Sequence, residues 1–242
     1  MLALEDEVPI ACLACPPDPP SVSWIRLFAV ASDQPASQIW DLLWFETITQ
    51  AVVAGATQAA ALLSDGRLAP ILLGCGFEHT NDVILLERWA EAPPSMPSIM
   101  GNLRTIHQDD LPAITEVDQR AFGTIWQYSQ NTLREVMKQA AVATLIEFDD
   151  KPVAYQVSTT SIQGAHLARL AVAPEWQGRG LGNALVVDML HRFTLHGIDR
   201  VSVNTQVDNE RSLRLYRELG FIQTKKLYPV YQRELVPGTF PG

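Results

Sequence analysis

The sequence is short of cysteine, of lysine over its first hundred residues, and of long apolar runs. Three cysteines are an odd number, at Cys12, Cys15 and Cys75. Cys12 and Cys15 have redox-motif spacing, but no second Cys/His pair follows at zinc spacing. Pro16 and Pro17 also discourage the helix that a redox pair would open. The thiols therefore read as ordinary reduced ones. No apolar run approaches 18 residues, so no membrane partner is expected. The start, Met1-Leu2-Ala3-Leu4-Glu5-Asp6-Glu7, is acidic, the wrong sign for a signal peptide. The expectation is a cytoplasmic protein. The five histidines, His79, His107, His166, His191 and His196, show no metal spacing.

Charge is also unevenly supplied. Residues 1–100 hold 12 Asp/Glu against 3 Arg and no Lys, a balance of −9, whereas residues 101–242 hold 15 of each sign, a balance of zero. The asymmetry suggests two domains. An acidic chain without a Lys/Arg stripe argues against a nucleic-acid partner. At 242 residues and 47% hydrophobic, there is material for one large core or two small ones.

What the sequence does have is a glycine-rich turn. Gln177-Gly178-Arg179-Gly180-Leu181-Gly182 follows the apolar run Leu167–Val172 and the turn Ala173-Pro174-Glu175-Trp176. It opens into a helical pattern with Leu181, Leu185, Met189 and Phe193 on one face. Gly197 stands where a left-handed C-terminal cap is expected. Glycines at a strand-to-helix turn let an anion approach free N–H groups and the positive end of the helix dipole, and Arg179 adds charge. That reads as a pyrophosphate cradle; glycines kept for packing alone are the plainer alternative. A P-loop would need Lys-Ser/Thr after its last glycine, and Asn183-Ala184 stands there. The dinucleotide fingerprint has a different glycine spacing.

Downstream, Asn209–Phe221 reads N-E-R-S-L-R-L-Y-R-E-L-G-F. Q-G-R-G-L-G after R-L-A-V-A-P-E-W resembles motif A of the GCN5-related N-acetyltransferase (GNAT) superfamily, and the Asn209–Phe221 stretch resembles its second signature. Both stand in the family's order and separation. The resemblance spans roughly residues 101–236, with the nearest likeness to enzymes that acetylate a ribosomal-protein N-terminus. It implies an α/β (α+β) acyl-CoA N-acyltransferase fold with a mixed central sheet.

Between the first hundred residues and the last, an internal echo is visible. Arg26-Leu27 and Ala29-Val30 meet Arg169-Leu170-Ala171-Val172, and Gly76-Phe77-x-x-Thr80 meets Gly220-Phe221-x-x-Thr224. A strand at 23–30, a helix at 39–53, a short apolar stretch at 59–63, a helix at 68–73 and a strand at 83–88 complete the first copy. The expectation is a tandem arrangement: a degenerate, non-catalytic half-domain at 1–92, a linker at 93–100 and a catalytic domain at 101–242. The first copy offers no glycine between Val30 and its helix, and has Leu72 where the second has Tyr216. An unrelated α/β segment with chance matches is the alternative.

In the second domain the pattern predicts a strand at 103–106, helices from Asp109 to Phe122 and from Asn131, and a hairpin turning at Asp149-Asp150-Lys151. Strands at 166–172 and 201–205 follow, then a helix capped by Asn209, and two final strands in a hairpin around Tyr228–Tyr231.

The resemblance implies acetyl-CoA as co-substrate, with no metal. Gln177, Gly178, Arg179, Gly180, Leu181 and Gly182 would hold its pyrophosphate. The backbone of Leu170, Ala171 and Val172 would pair with its pantetheine arm where the strands splay, and Asn209 would reach that arm. Tyr216 takes the general-acid position, since a phenol can donate to a departing thiolate; a half-buried core aromatic is the alternative. The family's acids are missing: Asn204 and Arg169 stand in the two usual base positions, leaving Glu147, Asp208 or water. Tyr228 and Tyr231 resemble an acceptor wall. The implied partner is an amine acceptor, a protein N-terminus or a small molecule, and homodimerisation is left open. A non-catalytic acyl-CoA-binding sensor is the competing reading.

Overall fold

Two acidic residues in succession would be a poor place to turn a chain unless both adopted the left-handed backbone that a tight hairpin demands. Two pairs in this chain do: Asp6 and Glu7 at φ 48° and 68°, and Asp149 and Asp150 at φ 49° and 59°. The first pair closes the hairpin of residues 2–14 and the second that of residues 142–161. The structure is a computed structural model describing residues 1–89 and 91–235.

In chain order the first run is β1 (Leu2–Glu5), β2 (Val8–Ala14), β3 (Val22–Trp24), β4 (Leu27–Val30), α1 (Ala36–Val53), β5 (Gln58–Leu62), α2 (Ala69–Gly74) and β6 (Glu78–Trp89). Then come β7 (Asn102–Thr105), α3 (Leu111–Ala121), α4 (Gln130–Lys138), β8 (Val142–Phe148), β9 (Lys151–Ser161) and β10 (Gly164–Val172). The chain ends with α5 (Leu181–Leu195), β11 (Arg200–Gln206), α6 (Glu210–Glu218) and β12 (Ile222–Glu234). No helix among the described residues is long and apolar enough to cross a membrane.

The chain divides into two compact units. One is Met1–Asp82 with the strand residues from Tyr228 on; the other is Val83–Leu227. The division therefore falls inside β6 and inside β12, not at the composition-marked stretch 93–100, which carries no helix or strand and lies within the second unit's span.

The first unit has a small antiparallel sheet, β1-β2-β4, and a ladder β3-β5-β12. The strand expected over 23–30 is broken at Ile25-Arg26: Ser23 pairs in parallel with Ala59, whereas Ala29 pairs antiparallel with Cys12. The first unit also holds more structure than its sequence suggested, because the unassigned residues 2–14 form the β1–β2 hairpin. Its core is aromatic. Trp40 meets Phe28 edge-on at 5.1 Å and stacks on Trp44 at 5.3 Å, and Trp44 meets Phe77 at 5.3 Å.

A single strand, β12, occupies the final stretch where two strands and a hairpin were expected. Pro229 looks like a breaker because it has no N–H. Its carbonyl nevertheless accepts from Leu63 N at 3.0 Å, and the ladder with β5 runs on from Val230↔Leu62 to Glu234↔Gln58. Tyr231 is buried in the first unit's core.

The second unit is a mixed sheet in the order β6-β11-β10-β9-β8-β7. Only β10 and β11 run parallel; the other pairs are antiparallel. One face packs on α5 and α6 through Val186, Met189, Phe193, Leu213 and Phe221. The other packs on α3 and α4 through Ile114, Val117, Leu133 and Leu145. Leu181, Leu185, Met189 and Phe193 are all buried, as their four-residue spacing requires. Gly197 adopts φ 71°, and Ile198 N bonds Phe193 O at 3.0 Å to close the helix end.

Candidate active site

Two local departures from regular sheet make the site. The first is a bulge in β10: Leu167 pairs with Ser158, and the next register pair is Arg169 with Val157. The extra residue reverses which face the following side chains take. Leu167 joins the α5 face, while Arg169 bonds to α3 and Ala171 joins the α3–α4 core. The second departure is that the parallel ladder between β10 and β11 runs only from Ala165↔Val201 to Leu167↔Val203. Beyond it β10 continues to Val172, laddered to β9 alone among the described residues, and a cleft opens. The cleft holds about 760 Å³.

Gly178 and Gly180 close one end of this cleft with φ 76° and 80°, conformations that cost a side chain roughly 1–2 kcal/mol. Gly180 is the N-cap of α5, and the first intrahelical bond is Ala184 N to Gly180 O, at 3.0 Å. The amides of Leu181, Gly182 and Asn183 therefore lack carbonyl partners within the helix and offer N–H donors at its positive end. No atom lies within 4 Å of the Cβ position of Gly178 or Gly180, so a bulky anion has room. Gly182 differs: a Cβ there would touch Leu215, Val172 and Leu170 at 3.5–3.9 Å.

The cleft gathers most of the residues singled out in the sequence. Leu170, Ala171, Val172, Gln177, Gly178, Gly180, Leu181, Gly182 and Asn209 line it, together with Arg211, Ser212, Arg214 and Leu215 of α6. Arg179 lies outside the lining, its guanidinium over the Trp176 ring at 4.8 Å. Gln177 ties the parts together: its Nε2 donates to Val172 O at 3.0 Å, and its Oε1 accepts from Arg211 Nη1. Asn209 caps α6, accepting from Ser212 N at 3.1 Å, and its amide group retains two N–H donors. The free amides, Arg211 and Arg214, and an open cleft between parted strands suit a pyrophosphate and an extended acyl-carrying arm.

Tyr216 is not among the lining residues. It is buried in the α6-facing core, its ring 5.6 Å from that of Phe221. Burial raises its phenol pKa well above the ordinary value. In the resting protein the group is therefore protonated at physiological pH, able to donate a proton but not to accept one.

The base candidates separate clearly. Glu147 is held on β8 by Arg104 Nε at 2.7 Å and Asn102 Nδ2 at 3.0 Å, which keep its carboxyl below the usual range and leave it outside the cleft lining. Asp208 lines the cleft. Asn204 is exposed on β11. Arg169 is buried in a bidentate pair with Asp118, at 2.6 and 2.7 Å. The sequence reading missed Asp118, although a signal existed: it shares the buried face of α3 with Leu111, Ile114 and Thr115. An acid on an apolar stripe calls for a buried partner.

Residues 103–221 match the model of the acetyltransferase (GNAT) family. The chain is 26% identical over 136 residues to the [Ribosomal protein bS18]-alanine N-acetyltransferase of Salmonella typhimurium, covering 55% of this chain and 90% of the relative. Among solved structures it resembles a GCN5-related N-acetyltransferase from Sphaerobacter thermophilus, with 17% identity, a TM-score of 0.66, and coverage of 96% of this chain and 79% of that one. It also resembles a tandem GNAT protein from the clavulanic acid biosynthesis pathway, with 15% identity, a TM-score of 0.63, and coverage of 98% and 82%. At these identities the structural likeness speaks for fold alone.

Proposed function

Because residues 103–221 form a domain of the GNAT acetyltransferase family, we propose that this chain transfers an acetyl group from acetyl-CoA to a primary amine, with a protein α-amine as the favoured acceptor. The observation that carries the reading is the cleft between β10 and β11, closed by the Gly178–Gly182 amides at the start of α5.

When bound, acetyl-CoA supplies a thioester carbonyl to which an amine nitrogen adds as the carbon–sulfur bond breaks. The chain's residues do the rest. The amides of Leu181, Gly182 and Asn183, with Arg211 and Arg214, hold the pyrophosphate. The backbone of Leu170–Val172 on the edge away from β9, apart from the Val172 carbonyl that Gln177 holds, bonds the pantetheine amides as a neighbouring strand would. Asn209 donates to the same arm. To Tyr216, kept protonated by burial though set behind the cleft lining, we assign the proton that the departing sulfur takes, and the proton that the attacking amine loses restores the phenol.

The missing acids at Asn204 and Arg169 favour an acceptor that needs little help in losing a proton. An α-amine with pKa around 7.7–8.0 is roughly a tenth neutral at pH 7, against well under a thousandth for a lysine amine near 10.4. The relative named for ribosomal-protein alanine acetylation points the same way. The same missing acids support the second reading, an acyl-CoA-binding sensor without turnover. The first unit contributes no cradle of its own in this proposal: Ala31–Pro35 precedes α1 without a glycine.

The test is release of CoA thiol from acetyl-CoA, with α-amino peptides, lysine-only peptides, amino acids and polyamines as acceptors, and calorimetric binding of acetyl-CoA alongside. Turnover on α-amino peptides supports the proposal. Tight binding with no turnover on any class supports the sensor.

A further inference from the structure

The helix α6 lines the cleft with Arg211, Ser212, Arg214 and Leu215, yet it is thinly anchored: of Glu210–Glu218 only Leu213 and Tyr216 are buried. A helix with so little buried surface depends on what holds its ends. Asn209 caps the first turn through Ser212 N. The last turn is held from β6. Arg88 Nε donates to Leu219 O at 2.9 Å, while Nη1 donates to Glu91 O at 3.0 Å and Nη2 to Ala92 O at 2.9 Å. All of these residues belong to the second unit.

Arg88 stands where the strand pattern calls for an apolar residue. Ile84 and Leu86, on the same face of β6, are buried against α5 and α6, and Arg88 continues their row at 5% exposure. A buried guanidinium is destabilising unless its donors are met. Here backbone carbonyls meet them, and the Glu91 carboxylate stays 3.8 Å away. Leu219 O also lies at the negative end of the α6 dipole, which favours a cation. An apolar side chain would fill the same space without the desolvation that a charge suffers. What the guanidinium adds is direction, three bonds in one plane that tie the end of α6 to residues 88–92. The approach is close: a Cβ on Gly220 would come 2.8 Å from Glu91 Oε2.

Tyr216 sits in the turn that this tie closes, its carbonyl accepting from Leu219 N at 3.2 Å and from Phe221 N at 2.9 Å. The same strand supports β11, since Val83–Trp89 pairs with Arg200–Gln206 without a break. Residues 83–92 thus hold the β11 and α6 side of the cleft, although they precede the matched residues 103–221. We propose that Arg88 is a positioning residue for the reaction: it fixes α6 along its axis, so that Asn209, Arg211 and Arg214 reach the cofactor and Tyr216 the departing sulfur. This rests on the N-acetyltransferase reading and adds to it a residue outside the family match that sets the helix carrying those side chains.

The experiment uses the full chain, acetyl-CoA and an alanine-initiated peptide. Arg88→Met keeps the apolar stem and loses all three bonds; Arg88→Lys keeps the charge, but on a single point that cannot span carbonyls on two segments. Both should raise the acetyl-CoA Kd at least fivefold by calorimetry, with the binding stoichiometry unchanged. Both should also lower kcat at saturating acetyl-CoA at least fivefold, while the peptide KM stays within twofold. A role in folding alone gives another pattern: fewer competent molecules and a lower stoichiometry, with Kd and the rate per competent molecule unchanged. That pattern, or wild-type values throughout, would overturn the proposal. If Arg88→Met does not fold, the milder Arg88→Lys decides alone. No turnover by the wild-type chain on any amine is a different failure, that of the N-acetyltransferase reading itself, and the acetyl-CoA Kd then decides for Arg88.

Discussion

Gln177 Nε2 donates to the carbonyl of Val172 at 3.0 Å, so the last residue of β10 and the first residue of the glycine turn are joined by a side chain. The same side chain accepts from Arg211 at the start of α6. One residue thus sets the turn against both the strand and the helix that flank the cleft. Replacing it with leucine leaves volume but no bonds. The acetyl-CoA Kd of Gln177→Leu should weaken about three- to tenfold, the range for one or two lost hydrogen bonds, with melting temperature nearly unchanged. Calorimetry and thermal unfolding on the same sample would check both.

Gly180 separates sterics from charge. Its Cβ position is open to 4 Å, but its φ is 80°. Gly180→Ala should therefore cost about 1–2 kcal/mol of stability through backbone strain alone. Gly180→Asp adds a negative charge beside the amides and should remove measurable acetyl-CoA binding. Near-normal affinity in Gly180→Asp would mean that the pyrophosphate lies elsewhere.

Tyr216→Phe should keep acetyl-CoA affinity and lose at least tenfold in kcat, if the phenol delivers the proton. Burial raises its pKa, so the acid form persists above the ordinary phenol value near 10. A fall in wild-type rate at pH 8–9 would then have to come from another group. An unchanged rate in Tyr216→Phe would remove the residue from the mechanism.

Two groups of residues should each make stability fall as pH is lowered, beginning at different pH values. Burial depresses the pKa of His166, whose Nδ1 lies 3.0 Å from Ser202 Oγ. Stability linked to its neutral form is complete above 6.5 and is lost as pH drops below that value towards the folded pKa. Arg104 holds Asp110, and Asn102 with Arg104 holds Glu147, lowering both pKa values. Their contribution is complete above about 4.5 and is lost as pH falls through the folded values. Melting temperature against pH should show the upper window vanish in His166→Gln and the lower one shrink in Arg104→Gln.

Much of this protein is legible in its residues. The four-residue spacing of Leu181, Leu185, Met189 and Phe193 specifies a buried helix face, because the α-helical period is local geometry. Glycines at 178, 180 and 197 mark left-handed backbone for the same local reason. The paired echoes of Arg26–Val30 with Arg169–Val172, and of Gly76 with Gly220, suggested a diverged repeat, which rests on those sequence matches.

Tertiary structure decided the rest. The bulge at Leu167–Arg169 depends on β9 being alongside, and it alone turns Arg169 towards Asp118 rather than towards the α5 core. Strand alternation read from one chain segment has no means of registering a residue inserted opposite a neighbour. A hairpin was expected around Tyr228–Tyr231 until pairing with β5 showed one continuous strand, and the acidic start, residues 1–7, became part of the β1–β2 hairpin only through strand pairing. Helix faces and turn glycines follow from local backbone preferences. Pairing, register and the partners of a buried charge depend on segments distant in sequence, and only the folded chain brings those together.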